Sequence, residues 1–152
     1  VGSKSENPVT LTSDYWADSL YVNTQWKVAQ AGGAPRGGIW HIRALQQGTY
    51  QFELSRWPPR LQRPLTQSGP DTAEGGTRIR EGKSVPVHIG CLSIDGQRPL
   101  VETSSGQQAS GVVITTKISR GDHTLDGWFR DAEGKDLCGA YYLKVTLVQH
   151  DR

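Results

Sequence analysis

The sequence predicts an all-β domain, a jelly-roll-like antiparallel β-sandwich of about nine strands with little or no helix. Short alternating or mostly apolar segments follow one another along the chain and are separated by clusters of Gly, Pro, Asn and Asp. The chain has 152 residues, the length of one ordinary domain, and its 18 glycines and 8 prolines suit a fold rich in turns.

Each predicted strand is a short apolar run bounded by turn residues. The pattern is clearest in the last predicted strand. There the apolar residues from Tyr141 to Leu147 occupy alternate positions and form one row facing a core. The polar residues 1–8 are expected to be a linker or a remnant, and residues 9–152 a single domain. The predicted strands are Val9–Leu11, Gln25–Val28, Ile39–Arg43, Thr49–Trp57, Val85–Ile94, Pro99–Glu102, Gly111–Ser119, His123–Arg130 and Ala140–Val148.

The connections between the strands indicate antiparallel neighbours. Asp95-Gly96 lies between two apolar runs and predicts a hairpin. The segment Asp131–Asp136 (DAEGKD) resembles half a calcium loop, but at this length between two strands it favours a hairpin turn. The stretch TLTSDYWADSL could hold a short helix. The long connection after residue 60 is expected to cross between sheets or to carry a binding surface.

The segment "RWPP", Arg56 to Pro59, is predicted to be a corner. Proline cannot donate a ladder hydrogen bond, so the strand must end or become an unpaired edge at Pro58. Arg56 shares the parity of the apolar row of this strand, which would bury its guanidinium. We therefore expect it to be a structural anchor, bound to a carboxylate such as Asp14 or to carbonyl groups, and not a catalytic group.

Composition excludes several classes of function. With 17 basic and 15 acidic residues the formal charge is +2, too small a field to indicate nucleic acid or an anionic membrane as a partner. No apolar run approaches the roughly 20 residues of a membrane helix. No nucleotide-binding or hydrolase motif is present. No cofactor or metal site is predicted, because the four histidines are scattered: His41, His88, His123 and His150.

The two cysteines, Cys91 and Cys138, lie in different predicted strands and outside any CxxC motif. They could form one disulfide or remain two isolated buried thiols, and the sequence leaves both alternatives open.

The five tryptophans are the most informative residues. Trp26 and Trp40 lie inside short apolar strands and are assigned to packing. Trp57 and Trp128 have the opposite parity from the apolar rows of their strands, so ideal pleating turns them away from the main core. An outward tryptophan can stack on a sugar, but it can also pack under a loop or against another domain.

Several motifs in order give the chain a family resemblance. They are VTLTSDYW, TQWKV, GIWHIRALQQGTYQFELSRWPP, CLSIDG and HTLDGWFRDAEGKDLCGAYYLKV. Together they resemble the C-terminal β-rich accessory domain of bacterial arylsulfatases. The most specific pieces are Gly48-x-Tyr50 leading into Arg56-Trp57-Pro58, Asp14-x-Trp16, and the closing Gly139-Ala140-Tyr141-Tyr142. Ser55 departs from the pattern, because many relatives carry a basic residue there.

The resemblance implies a domain without catalytic function. The Cys/Ser-x-Pro-x-Arg motif that yields the formylglycine of sulfatases surrounds neither Cys91 nor Cys138. The family's metal-binding and catalytic residues belong to a separate large domain. The implied location is the periplasm or the outside of a bacterial cell, and the implied partner is a sulfatase catalytic domain in the same parent chain.

Two functions fit the resemblance. The first is a carbohydrate-binding module that holds a polysaccharide or sulfated glycan near the enzyme. The second is a structural accessory domain that packs against the catalytic domain and binds no ligand. For the first, a sugar needs an aromatic face with charged or polar groups beside it. The candidates are Trp57 with Arg60 and Arg63, and Trp16 with Asp14 and Asp18.

Overall fold

The structure, a computed structural model, describes residues 1–17, 35–69 and 82–150. Within these ranges the chain forms nine strands and two one-turn 3-10 helices, Ser13–Tyr15 and Pro59–Leu61. The strands are β1 (Val9–Thr12), β2 (Ile39–Ala44), β3 (Gly48–Ser55), β4 (Ile89–Ile94), β5 (Leu100–Thr103), β6 (Val112–Ile118), β7 (Gly121–Arg130), β8 (Asp136–Gly139) and β9 (Tyr142–His150).

The strands form two sheets with jelly-roll topology. One sheet has the order β1-β9-β3-β6, and the other has the order β2-β7-β4-β5. The short β8 pairs with the C-terminal part of β7, on the edge opposite β4. All of these pairs are antiparallel. If the short β8 is set aside, successive strands alternate between the two sheets except at the β4–β5 hairpin, which is the strand order of a jelly roll. The predicted fold class is confirmed.

The predicted strands that lie in the described residues are all found, with shifted ends. β4 begins at Ile89 and not at Val85, since Pro86 cannot donate to a ladder. β8 was not predicted. It follows the predicted hairpin turn, in which the Asp131 carboxylate accepts from the backbone N–H groups of Glu133 and Lys135. The predicted strand Gln25–Val28 and its Trp26 lie outside the described residues.

Side chains from both sheets fill one core. The alternate positions Tyr50, Phe52 and Leu54 of β3 are fully buried, as the period of a strand requires. Trp40 of β2 is also buried, which confirms its assignment to packing. Its indole N–H donates to the carbonyl of Thr12 at 2.8 Å, a hydrogen bond that joins the two sheets.

Arg56 is a buried anchor, as predicted. It has no exposed surface, and its guanidinium donates to the carbonyls of Gln67 at 3.1 Å, Leu65 at 3.4 Å and Lys83. Burial lowers the pKa of Arg56 from its ordinary value, but an arginine stays charged in a protein. The carbonyls therefore compensate for a guanidinium removed from water. The strand ends before it, at Ser55, and Pro58 leads into the second 3-10 helix, so "RWPP" is a corner.

The two cysteines are free and buried, so the disulfide alternative is wrong. Cys91 on β4 pairs with Trp128 of β7, and Cys138 on β8 pairs with Phe129 on the other edge of β7. The two cysteines are thus two strand spacings apart, about 10 Å, beyond the reach of a disulfide. They also lie on opposite faces of the sheet: Cys138 belongs to the core cluster, and Cys91 does not.

We predict that Arg56→Met lowers the free energy of unfolding by at least about 2 kcal/mol, because it leaves main-chain carbonyls without a donor. Chemical denaturation measures the change. Arg60→Met is the control on an exposed arginine of the same corner, and its effect should stay within about 0.5 kcal/mol. Equal stability of Arg56→Met and the parent chain would contradict the anchor.

We also predict that the denatured, unreduced protein yields two titratable thiols, whereas the folded protein reacts slowly. Burial raises the pKa of both Cys91 and Cys138 to about 11, which leaves little thiolate at neutral pH. Titration with a thiol reagent, with and without denaturant, measures both quantities. Fewer than two thiols in the denatured sample would show a bridge after all.

Candidate functional site

The prediction of Trp57 as an outward stacking platform is wrong. Only 4% of this residue is exposed. The guanidinium of Arg56 lies 4.4 Å from the centre of its ring, and that of Arg63 lies 6.0 Å away. Strand parity does not apply to Trp57, because β3 ends at Ser55, two residues before it.

Trp16 is also buried, with 7% of the residue exposed. Its ring packs against Trp40 and Tyr141, with 5.8 Å between centroids in each case. The 3-10 helix that precedes it turns the chain inward at this point. Trp16 therefore belongs to the core and offers no face to a sugar.

The other predicted binding residues are found apart from any exposed aromatic platform formed by Trp57 or Trp16. Arg63 donates from Nε to the carbonyl of Ser68 at 2.6 Å, a hydrogen bond within its own loop. Arg60 and Asp14 are exposed, and both lie near enough to Tyr142 to influence its pKa, which burial raises. Asp18 lies outside the described residues.

A different aromatic residue occupies the outer face of the β2-β7-β4-β5 sheet. Trp128 of β7 has the opposite parity from Leu125 and Phe129 and lies outside the core cluster, as its parity predicts. It is nevertheless fully buried. The guanidinium of Arg36 covers its ring at 3.8 Å from the centroid, and Arg130 lies 5.4 Å away. This is a cation–π stack on the outer face.

Two glycines place Arg36 over this ring. Gly37 has φ +74°, a conformation that side chains other than glycine rarely adopt. A Cβ built at Gly37 would lie 2.9 Å from the Cα of Gly139, so the two backbones touch. Gly139 is the partner of Trp128 in the sheet, and the contact therefore brings the preceding residue, Arg36, next to the indole.

The indole of Trp128 is fixed from its edge as well. Its N–H donates to the Asp136 carboxylate at 2.8 Å, and Arg130 Nε donates to the same oxygen at 2.7 Å. Burial acts to raise the pKa of Asp136, but the hydrogen bonds from Arg130 and Trp128 outweigh it, and the pKa is lowered. Asp136 therefore stays ionised and holds the ring in place.

A cleft of about 400 Å³ opens beside this stack. Arg36 forms an ion pair with Asp126 of β7 at 3.1 Å, and its side chain is 47% exposed. The β4–β5 turn forms the opposite wall, where the Ser93 hydroxyl donates to the Gln97 carbonyl at 2.7 Å. The lining residues are Arg36, Ile39, Ser93, Gly96, Gln97, Arg98, Pro99, Thr124 and Asp126. Charged and amide groups thus face one another across a small polar depression.

A second cleft of about 450 Å³ lies further along β7 and shares Thr124 with the first. Arg43 of β2 binds Asp122 of β7 through two hydrogen bonds, of 2.6 and 2.9 Å. Their side chains are 70% and 71% exposed, and the hydrogen bond from Arg43 lowers the pKa of Asp122. His41, also exposed, lies between the two ion pairs, opposite Thr124.

His123 joins two turns at the edge of this second cleft. Its Nδ1 lies 2.7 Å from an Asp95 carboxylate oxygen, and its Nε2 lies 2.9 Å from the Ser119 carbonyl. Both partners are acceptors, so both ring nitrogens must carry a proton for both bonds to form. Burial acts to lower the pKa of His123, but the hydrogen bonds to Asp95 and Ser119 and the charges of Asp95 and Asp122 outweigh it, and the pKa is raised.

Some of the residues that line these clefts could be recognised in the sequence. Asp126 is recognisable as an outward carboxylate of its strand, but such carboxylates are usually only solvated. The better signal is the alternation of polar Asp122, Thr124 and Asp126 along one strand. Arg36 could not be found, because it lies in a loop and its position depends on the contact between Gly37 and Gly139.

In residues 1–17, 35–69 and 82–150 no group of three His, Cys, Asp or Glu side chains is arranged to hold a metal ion. Neither short helix of these ranges has the length and apolar character that crossing a membrane requires.

Comparison with known proteins gives matches of overall shape only. No family model and no curated protein matches the chain. An exo-β-1,3-galactanase from Phanerochaete chrysosporium aligns with a TM-score of 0.47 and 11% identity, over 91% of this chain and 29% of that enzyme. A family 35 carbohydrate-binding module (CBM35) from Cellvibrio japonicus aligns with a TM-score of 0.47 and 13% identity, over 91% and 92% of the two chains.

A family 35 module from Clostridium thermocellum aligns with a TM-score of 0.39 and 15% identity, over 93% of this chain and 89% of the module. At such identities and TM-scores these likenesses assign neither a family nor a ligand to this chain.

We predict that the charged His123 stabilises the fold below pH about 6.5, and that this stabilisation is lost as the pH rises through the raised pKa. Asp95 remains its partner at low pH, because the hydrogen bonds from His123 and from the Thr124 N–H lower the pKa of Asp95. Compared with His123→Gln, the parent chain should be more stable by roughly 1 kcal/mol at pH 6, and by less at pH 9. Denaturation curves at the two pH values measure the difference, and a difference that grows with pH would contradict the assignment.

Proposed function

We propose that the chain is a non-catalytic carbohydrate-binding module whose site is the cleft between the Arg36–Asp126 pair and the β4–β5 turn. The observation that carries the proposal is the composition of this cleft on an outer sheet face. A guanidinium and a carboxylate 3.1 Å apart can donate to one sugar hydroxyl and accept from its neighbour. Gln97 and Arg98, both exposed, supply further polar groups from the opposite wall.

The rigidity of the cleft supports this function. Arg36 is held by the Trp128 ring beneath it and by Asp126 beside it, so little conformational entropy is lost when a ligand binds. The cleft is open to solvent on one side and has no aromatic ring among its lining residues. Weak binding to a polymer suits such a surface better than tight binding of a small molecule.

We further propose that the module accompanies a polysaccharide-acting sulfatase in the periplasm or outside a bacterial cell. The support for this part is the sequence resemblance to the C-terminal domains of arylsulfatases. A sulfated glycan is compatible with the cleft, where Arg36 and Arg98 provide two positive charges against the single carboxylate of Asp126.

The second candidate function is that of a structural accessory domain without a ligand. Two observations favour it, namely the burial of Trp57 and the burial of Trp16. The aromatic residues that looked like sugar platforms support the domain's own core and corner. A binding measurement separates the two functions.

We predict that the domain is retained by at least one of three polysaccharides, carrageenan, chondroitin sulfate or agarose, in affinity gel electrophoresis. Arg36→Ala and Asp126→Asn should each weaken binding by about tenfold, since each removes a charged hydrogen-bonding group. Lys117→Ala is the control, because this exposed cation lies on β6 in the other sheet.

Retention by none of the three polysaccharides would favour the structural accessory domain. Loss of binding in Arg60→Ala, with binding intact in Arg36→Ala, would move the site back to the corner around Arg60. Thermal melts of each variant distinguish loss of the site from loss of the fold.

A further inference from the structure

We propose that the module binds an internal stretch of a linear glycan along β7 and not a single terminal sugar. This inference rests on the proposed carbohydrate-binding function and concerns the shape of the ligand. The surface is defined here as the β7 groove, lined by Arg36, His41, Arg43, Asp122, Thr124 and Asp126.

The two clefts adjoin along β7. Thr124 lines both, and Asp122 and Asp126 lie two positions from it in either direction along β7. Residues two apart in a strand point to the same face, so these three side chains follow one line. Four residues of an antiparallel strand span about 14 Å, which is longer than one sugar ring.

The same chemical pair, an arginine with an aspartate, occurs at each end of this line. Asp126 is paired with Arg36 at 3.1 Å, and Asp122 is paired with Arg43 at 2.6 Å. Each pair presents one acceptor and one donor to neighbouring hydroxyls. A ligand that satisfies both pairs must carry the same arrangement of hydroxyls twice along its length, and a linear polysaccharide does so by its repeat.

The two ends of the groove differ in how firmly their side chains are packed. Arg36 is stacked on the buried Trp128, whereas Arg43 and Asp122 are about 70% exposed. The Arg36 end is therefore the preorganised one and should bind first. The Arg43 end adds affinity only when a ligand is long enough to reach it.

The middle of the groove also suits a chain that passes through. His41 lies opposite Thr124 in the β2–β7 pair, and His41 is exposed. Thr124 lines both clefts, so the two clefts adjoin at this residue. The ligand chain can therefore continue from one ion pair to the other.

The test is a length series of oligosaccharides, from disaccharide to octasaccharide, prepared from carrageenan, chondroitin sulfate and agarose and titrated calorimetrically into the domain. We expect affinity to rise at least about tenfold between the disaccharide and the longer members. Arg43→Ala should reduce the affinity for the longer members by about the same factor and leave that for the disaccharide unchanged. Arg36→Ala should weaken binding at every length.

Lys117→Ala on the other sheet is the control for a general loss of charge. Equal affinity for disaccharide and octasaccharide, or full affinity for the octasaccharide in Arg43→Ala, would overturn the groove and leave the carbohydrate-binding function standing. Absence of binding to every oligosaccharide would overturn both. Since Arg43 is exposed, its loss should leave the melting temperature nearly unchanged, which keeps the test independent of folding.

Discussion

The guanidinium of Arg56 fixes the two described parts of the connection between β3 and β4, residues 56–69 and 82–88, to each other. It is fully buried and donates to carbonyls on both sides of that connection, at Leu65 and Gln67 before residues 70–81 and at Lys83 after them. The two sides also join each other, because the N–H of Val85 donates to the carbonyl of Thr66 at 3.2 Å. A buried charge without partners would be costly, so the anchor and the loop path require each other.

This constraint has a direct consequence for function. Arg56 and Arg63 lie over the buried ring of Trp57, and Trp16 packs against Trp40 and Tyr141 in the core. The four tryptophans of the described residues, Trp16, Trp40, Trp57 and Trp128, are therefore all buried in the fold. The outer face of the β2-β7-β4-β5 sheet carries two ion pairs along β7, Arg36–Asp126 and Arg43–Asp122, and the recognition chemistry we propose is one of charged hydrogen bonds rather than of exposed rings.

Strand parity predicted much of the fold, because alternation is a local property. It correctly placed Tyr50, Phe52 and Leu54 in the core, Arg56 beneath the corner and Trp128 on the outer face. It failed for Trp57, because the alternation still holds at Arg56, the first residue past the end of β3, but no longer at Trp57, the second. It could not place Arg36, since the contact between Gly37 and Gly139 joins segments about one hundred residues apart. The site was therefore less predictable than the fold.

The most direct test of the central claim is a ¹H–¹⁵N correlation titration of the domain with carrageenan, chondroitin sulfate and agarose hexasaccharides. Backbone amides and tryptophan indole N–H groups are observed together in such a spectrum, so the buried rings and the β7 groove report in one experiment. The account predicts shifts for Thr124, Asp126 and Gln97 and none for the Trp57 and Trp16 indoles. Chemical-shift changes of those two indole N–H groups, with the amide shifts of β7 unchanged, would contradict it.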